Sequence, residues 1–224
     1  MTNTESLVQR LEEKWQPVKD QLKDHERGQN LRIRMHRCFS WMKSAERHHG
    51  VEDYDCALLT HWVAFNGLYG QWDGINREPK PDIKCWKDFI DQINSVDAAG
   101  LLTTFIENQR DLILEILDNE YINKYFWEDP TETQAIKSKK DHRSAKAWYR
   151  DGKFDVIIKR ALGRVYVLRC QIMHGGATHG SKLNRDTIAL CDDLIRQMLP
   201  VIITIITRNG KDQNWGAICY PPID

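Results

Sequence analysis

The chain has 224 residues, of which 41% are hydrophobic and 29% are charged, and its 32 basic side chains balance its 32 acidic ones. This composition is typical of a globular domain with a substantial core and argues against a disordered chain. The longest apolar stretch, residues 198–207, is too short to span a bilayer, so we expect no membrane partner.

The six cysteines show no CxxC pair and no other spacing typical of a zinc site. Most of them lie in apolar helical patterns, where unpaired buried cysteines are common. The N-terminus shows no secretory signal pattern. We therefore predict free thiols, a cytoplasmic location, no metal site and no cofactor.

Helical spacing of apolar residues begins near the N-terminus. Residues 5–25 predict one or two short helices that Pro17 interrupts, and residues 30–49 predict a helix with Asn30 as its N-cap. The interpretation of the first segment rests on a mixed, charged pattern. The second segment has the clearer apolar stripe.

The next segment, residues 53–72, is apolar almost all round, which predicts a helix buried on most sides. We expect its polar exception, Asn66, to satisfy backbone groups of a neighbouring helix. Residues 85–94 and 100–119 then predict two amphipathic helices. A short aromatic element follows and ends before Pro130.

Residues 130–152 have no sustained apolar period and predict a long loop. The clearest helical pattern of the chain, over about 153–174, comes next. Gly175 and Gly176 supply its stop signal. Its apolar stripe alternates steps of four and three and consists of Phe154, Ile158, Ala161, Val165, Leu168 and Ile172.

A last long helix is predicted after Asn184, which can serve as its N-cap, and Pro200 should kink or shorten it. The tail, 214–224, is expected to be extended. Without a convincing strand pair, the pattern predicts an all-α protein, a single-domain helical bundle. We divide it into an N-terminal helical extension, 1–28, a helical domain, 29–208, and a C-terminal tail, 209–224.

The zero net charge hides a local asymmetry. Residues 137–169 contain eleven Lys/Arg and three Asp, whereas residues 107–132 contain eight Asp/Glu and two Lys/Arg. Both segments are compatible with ordinary solvated helix faces. The alternative is a basic surface that attracts a polyanion such as RNA. The candidate phosphate contacts are Lys137, Lys139, Lys140, Arg143 and Lys146.

The stretch RCQIMHGG, residues 169–176, combines Arg169 and His174 at the end of the predicted central helix. Arginine offers a planar donor fork for phosphate oxygens, and histidine transfers protons near neutral pH. Residues five apart on a helix differ in direction by about 140°, so the two side chains do not share one face. They meet only if the helix frays or if a second copy of the segment lies alongside.

The other histidines are given structural interpretations. His48 and His49 end a helix and are expected to face solvent, and His61 is expected to be a satisfied core histidine. His142 and His179 could join His174 in a cluster, but no regular ligand spacing supports a metal there.

Arg169 and His174, followed by two glycines, resemble the R-x4–6-H signature of HEPN domains. The surrounding RCQIMHGGATHGSKLNRD is similar to the C-terminal part of the Apea-like HEPN group. Residues 37–69, with the stretch WVAFNGLY, resemble the N-terminal helices of that group. Both segments occur in the right order, and the resemblance covers about 30–208.

The resemblance implies a helical homodimer in which two such motifs form a metal-independent endoribonuclease site. Members of the family act in toxin–antitoxin, phage-defence and RNA-processing systems, so an antitoxin or other protein partner is a further implication. Arg169 would polarise the phosphate, His174 would act as general acid or base, and Cys170, Gly175 and Gly176 would shape the site. Active members usually have a polar residue, often asparagine, where this chain has Cys170. A non-catalytic dimer that binds RNA, a nucleotide or a partner protein therefore remains the alternative.

Overall fold

A computed structural model describes residues 6–23, 26–182 and 184–220. About 75% of the described residues are helical and 2% are strand, which confirms the predicted all-α class. The helices are α1 (Leu7–Gln21), α2 (Glu26–Gly50), α3 (Tyr54–Tyr69), α4 (Asp82–Val96), α5 (Leu101–Asn108), α6 (Arg110–Asp118), α7 (Lys124–Glu128), α8 (Glu132–Ser138), α9 (Lys140–Arg150), α10 (Phe154–Met173) and α11 (Arg185–Asn209).

The β-structure of the described chain is one small antiparallel pair. Strand β1 (Trp72–Asp73) pairs with β2 (Glu78–Pro79), and the amide of Trp72 also donates to the carbonyl of Ala217 in the C-terminal tail. A single 3-10 turn, Glu120–Ile122, lies between α6 and α7. None of the helices described is long and apolar enough to cross a membrane.

The core forms where α3 packs between α2 and α11, with α10 lying against the shorter helices α4, α5, α6 and α9. The apolar stripe of α10 is buried along its middle, from Ile158 to Leu168, as predicted. Its two end members, Phe154 and Ile172, are only half-buried because the helix ends run past the core.

The N-terminal prediction was wrong at Pro17, because α1 continues through it as one helix. Ser6 caps the helix, and Val8, Leu11 and Trp15 enter the common core, so burial holds the segment helical before the proline. The predicted boundary between residues 28 and 29 lies inside α2.

Helix α2 begins at Glu26, so Asn30 lies inside it and is not the N-cap that the sequence predicted. Gly28, in the first turn of α2, lies close to the end of α1. A Cβ at Gly28 would stand 2.7 Å from the carbonyl oxygen of Leu22, so this position requires glycine.

The long loop predicted for residues 130–152 was wrong, because α8 and α9 occupy most of it. Thr131 caps α8 through its hydroxyl, which accepts from the amide of Gln134. In α9, buried Ala145 and half-buried Trp148 and Tyr149 form a short stripe at helical spacing. One turn of apolar residues is too short a period to stand out among so many charges.

Helix α11 runs through Pro200 without being shortened there. Asn184 occupies the predicted N-cap position of α11. Its backbone is left-handed (φ 61°) and its side chain makes no capping hydrogen bond, so the predicted side-chain cap is absent. The tail has no helix or strand from Asn214 to Tyr220, where the described residues end, but it is not extended throughout as predicted, because Gly216 and Tyr220 have positive φ (75° and 48°) and the chain bends at residues 219 and 220. Its Trp215 and Ile218 are buried in the body of the protein.

Candidate functional site

Helix α10 ends in a Schellman motif at the predicted site. The amide of Gly176 donates to the carbonyl of Gln171 at 2.7 Å, and that of Gly175 donates to Ile172 at 3.1 Å. Gly175 adopts the left-handed backbone (φ 73°) that this motif requires. The helix therefore stays intact up to His174, whose amide still donates to the carbonyl of Cys170 at 2.9 Å.

The intact helix keeps Arg169 and His174 apart within one protomer. Arg169 is half-buried and lines a groove, whereas His174 is exposed at the helix end and is not part of the groove lining. No hydrogen bond joins their side chains in the described structure. This matches the angular separation of about 140° for residues five apart on a helix.

Two glycines, one inside α10 and one just after its end, allow a direct test of this helix end. Gly175→Ala should lower the free energy of unfolding by about 1 kcal/mol, because a Cβ there has open space around it but an unfavourable left-handed backbone. Gly163→Ala is the matched control inside the helix, also with open space, and should raise stability by about 0.5–1 kcal/mol. Urea unfolding measures both, and equal effects would mean that the motif does not hold the helix end.

The groove beside Arg169 has a volume of about 370 Å³ and is predominantly basic. Four cationic side chains line it against one carboxylate, that of Asp82. Two exposed aromatic residues, Trp41 and Tyr220, also contribute to its wall. Such a lining suits an anionic ligand with a flat ring system. The cationic residues are Arg34, Arg37, Lys80 and Arg169.

Arg34 builds the floor of the groove and anchors the C-terminal tail. Its buried guanidinium donates to the carbonyls of Leu68, in the last turn of α3, and of Gly70, its C-cap, at 2.9 and 2.7 Å. It also donates to three consecutive tail carbonyls, those of residues 215, 216 and 217. Burial lowers the pKa of Arg34 to about 10, so the group stays charged at neutral pH.

Arg169 has no structural ion pair. No carboxylate of the described residues lies within ion-pair distance of its guanidinium, and its nearest polar partner is the Sγ of Cys170, 3.9 Å away. The pKa of Tyr166, one turn earlier, is raised by burial and by the neighbouring Cys170 thiol. Tyr166, Arg169 and Cys170 therefore form one polar face of α10.

Asn66 has a different role from the one predicted. Its side-chain amide donates to the hydroxyl of Tyr69 and to a carboxylate oxygen of Asp82, both at 3.1 Å, and not to the backbone of a neighbouring helix. The hydroxyl of Tyr69 also donates to Asp82 at 2.7 Å, and burial raises the pKa of this tyrosine. The network fixes the one carboxylate at the groove edge.

The five basic residues predicted to contact RNA lie on α8 and α9, or between them, and none lines the groove beside Arg169. Lys137 lies over the ring of Tyr125, and Lys139 lies 3.6 Å from Asp118. Arg143 donates to the carbonyl of Ile136. Lys140 and Lys146 are exposed and make no hydrogen bond or ion pair with a described residue. The predicted basic surface is therefore separate from the groove.

Five histidines of the described residues lie against carboxylates, and three of them are His48, His49 and His61. His61 is buried, and its Nδ1 lies 2.6 Å from Asp192, which confirms the prediction of a satisfied core histidine. The solvent-exposed state predicted for His49 was wrong, because its Nδ1 lies 2.7 Å from the same fully buried carboxylate. His48 is likewise only partly exposed and lies 3.1 Å from Asp53.

The remaining two histidines considered as metal ligands do not approach His174. His142 lies 3.2 Å from Asp118, and the Nε2 of His179 lies 3.1 Å from Asp53. In the described residues, possible ligand atoms do converge in two groups that sequence reasoning missed. One consists of His48, Asp53 and Cys56, and the other of Asp53, Asp55 and His179.

The groove residues Arg34, Arg37, Trp41, Lys80 and Asp82 were also missed. The run LRIRMHR, residues 31–37, carries a usable signal, because it places Arg34 and Arg37 one turn apart on the same helix. Searches against known protein families, curated proteins and solved structures find no match to this chain.

Proposed function

We propose that this protein is a metal-independent endoribonuclease of the HEPN type, with a site completed at a homodimer cleft. In this proposal Arg169 holds the non-bridging oxygens of one phosphate, and His174 transfers the proton. The 2′-hydroxyl attacks the adjacent phosphorus, the 5′-oxygen leaves, and a 2′,3′-cyclic phosphate remains.

One observation carries the proposal: within the described residues the side chains of Arg169 and His174 make no ion pair and no bond to the backbone, and the polar contact of Arg169 is the weak one to the Cys170 thiol. If the pair were architectural, the guanidinium would bind a carboxylate and the imidazole would bind a backbone carbonyl as a helix cap. Neither contact is present in the described residues, and the glycines that follow complete the cap through their backbone amides. The two side chains remain available for a ligand.

The divergent directions of the two side chains support a dimeric site. One protomer presents Arg169 toward the groove and His174 beyond the helix end, so a second copy of α10 is needed to bring an arginine and a histidine to one phosphate. Met173, next to His174, is also exposed, which leaves an apolar side chain for such a contact.

The groove supports RNA as the substrate class. Phosphates favour the cationic lining around Arg169, and an exposed indole such as that of Trp41 stacks on an unpaired base. Single-stranded RNA offers both groups within one or two nucleotides, whereas the bases of a duplex are already stacked.

The test is incubation of the purified protein with mixed single-stranded RNAs in excess chelator. We expect cleavage to persist and the products to carry 2′,3′-cyclic phosphate ends, with light scattering showing a dimer at micromolar concentration. A monomer that cuts no RNA under these conditions would contradict the proposal.

RNA affinity should fall as salt rises, because phosphate neutralisation releases counterions. Each phosphate contact removed should lower the slope of log K against log salt by about 0.7 for single-stranded RNA. Lys140→Ala and Lys146→Ala should show this loss, whereas Lys139→Ala should show less, because Lys139 already pairs with Asp118. Fluorescence anisotropy at several salt concentrations measures the slopes, and an affinity independent of salt would assign these lysines to an ordinary solvated surface.

The second candidate is a non-catalytic dimer that binds RNA through the same groove. Cys170 favours it, because a thiol beside Arg169 donates weakly where active HEPN members usually have an amide. Cys170→Asn separates the two functions. If the cysteine only weakens an existing activity, the variant cuts RNA faster than the wild type, and if the protein is a binding module, neither form cuts.

A further inference from the structure

Three different ligand types meet at the junction of α2 and α3. A ring nitrogen of His48, a carboxylate oxygen of Asp53 and the Sγ of Cys56 all lie within 4.8 Å of one another. The three residues have no spacing typical of zinc motifs, which is why no metal site was expected here from the sequence. The turn between the helices, and not a repeated motif, brings them together.

The backbone of that turn fixes the positions of two of the ligands. Helix α2 ends in a Schellman motif, in which the amide of Asp53 donates to the carbonyl of His48 at 3.0 Å and the amide of Glu52 donates to that of His49. Glu52 takes the left-handed position (φ 59°), where glycine is usual. His48 and Asp53 are therefore held face to face by backbone bonds.

The third ligand is positioned by the start of α3. Asp53 is the N-cap of this helix, and its Oδ1 accepts from the amide of Cys56 at 3.3 Å. The capping bond places the Cys56 side chain one turn into the helix, beside the carboxylate. Backbone bonds thus bring all three ligand atoms to within 4.8 Å of one another before any ion is bound.

We propose that His48, Asp53 and Cys56 bind a divalent cation of the zinc class. One imidazole nitrogen, one carboxylate oxygen and one thiolate are the ligand types that zinc selects over magnesium or calcium. Two ligands bonded to one tetrahedral zinc at about 2.0–2.1 Å each are roughly 3.3 Å apart. The Nδ1 of His48 lies 3.1 Å from the Oδ2 of Asp53, which fits this separation.

The surroundings suit a bound ion. His48, Asp53 and Cys56 are all partly exposed, so an ion can reach them from solvent. The second oxygen of Asp53 lies 3.1 Å from the Nε2 of His179, which orients the carboxylate in the manner of a supporting residue around a metal. Water fills the fourth position of the ion.

The site would connect the metal to the loop that follows α10. Besides His179, Gly180 donates its amide to Asp55 at 3.1 Å, and Arg185 binds the same carboxylate at 2.7 Å. This loop begins directly after Gly175 and Gly176. An ion at Asp53 therefore stabilises the segment that leaves the Arg169 and His174 motif, without taking part in the chemistry proposed there.

Cobalt and zinc titrations test this proposal. The purified chain is stripped with chelator and titrated with Co²⁺, which should produce the near-ultraviolet absorption of a cobalt–thiolate bond, and with Zn²⁺ in a calorimeter. Zn²⁺ should also raise the melting temperature, because it binds the folded state. Cys56→Ser should remove the cobalt–thiolate absorption. His48→Ala should weaken Zn²⁺ binding by more than about tenfold, the smallest loss usual when only a supporting residue of a metal site is changed.

Cys219→Ser is the matched control, because Cys219 is also a half-buried free thiol but lies in the C-terminal tail. It should bind both ions as the wild type does. Asp53→Asn keeps a capping side chain and should weaken binding with little loss of stability in the stripped protein. The proposal would be overturned if the wild type failed to bind Zn²⁺, or if the Cys56→Ser and His48→Ala variants bound it as tightly as the wild type does. His48 and Asp53 would then be a hydrogen-bonded pair without a metal. The readouts are binding and stability, so they are independent of RNA cleavage.

Discussion

Replacing His174 with alanine should abolish RNA cleavage while leaving the fold and most of the RNA affinity intact. The imidazole is exposed and makes no hydrogen bond with a described residue, so its removal costs little stability. A positioned proton-transfer group contributes about 10²–10⁴-fold in rate, and this is the loss we expect. Single-turnover cleavage rates and a thermal melt of the same preparation measure the two effects separately.

The neighbouring variants sharpen the interpretation. Arg169→Ala should lose both rate and some RNA binding, and Arg169→Lys should restore neither fully, because an ammonium group cannot donate in a bidentate manner. His142→Ala is the control, since His142 pairs with Asp118 outside the motif. A large drop in melting temperature for His174→Ala, together with a wild type that cuts no RNA, would show that the motif is architectural.

Arg34→Ala should lower the free energy of unfolding by about 3 kcal/mol. The guanidinium is buried and donates to five backbone carbonyls, two at the C-terminal end of α3 and three in the tail. Each buried acceptor left without a donor costs about 1–3 kcal/mol, and water can replace the donor only at the partly exposed carbonyls. Urea unfolding measures the loss, and limited proteolysis should show the tail cut more readily.

Arg37→Ala is the matched control for this effect. Arg37 lies one turn further along α2 and donates to the carbonyls of Cys219 and Tyr220, which are nearer the surface. Its removal should cost no more than about 1 kcal/mol, because water can reach those carbonyls. Equal losses for the two arginines would contradict the view that Arg34 anchors the tail through buried bonds.

The helical class and the central helix could be predicted because their apolar periods are long. The stripe of α10 repeats over five turns, and the two glycines after His174 mark its end, so its bounds were predicted to within a residue. By contrast, α9 buries only Ala145 fully among many charges, and its helical character depends on packing against other elements. A short period of this kind cannot be distinguished from a loop in the sequence.

The groove, and the contact of His179 with the proposed cation site, could not be predicted because they join residues far apart in the chain. Arg34 reaches carbonyls near residue 216, and His179 reaches Asp53, more than 100 positions away in both cases. Local spacing carries no information about such contacts. Asn66 shows the same limit: its polarity inside an apolar helix predicted a hydrogen bond, but not that the partners would be Tyr69 and Asp82.

The most direct test of the proposed composite site is a heterodimer of two inactive chains. Arg169→Ala and His174→Ala carry different tags, are expressed together, and the mixed dimer is purified through both tags. If each active site takes its arginine from one protomer and its histidine from the other, the mixed dimer has one intact site and should cut RNA at about half the wild-type rate. A mixed dimer as inactive as its two parent homodimers, or an active monomer, would contradict the account.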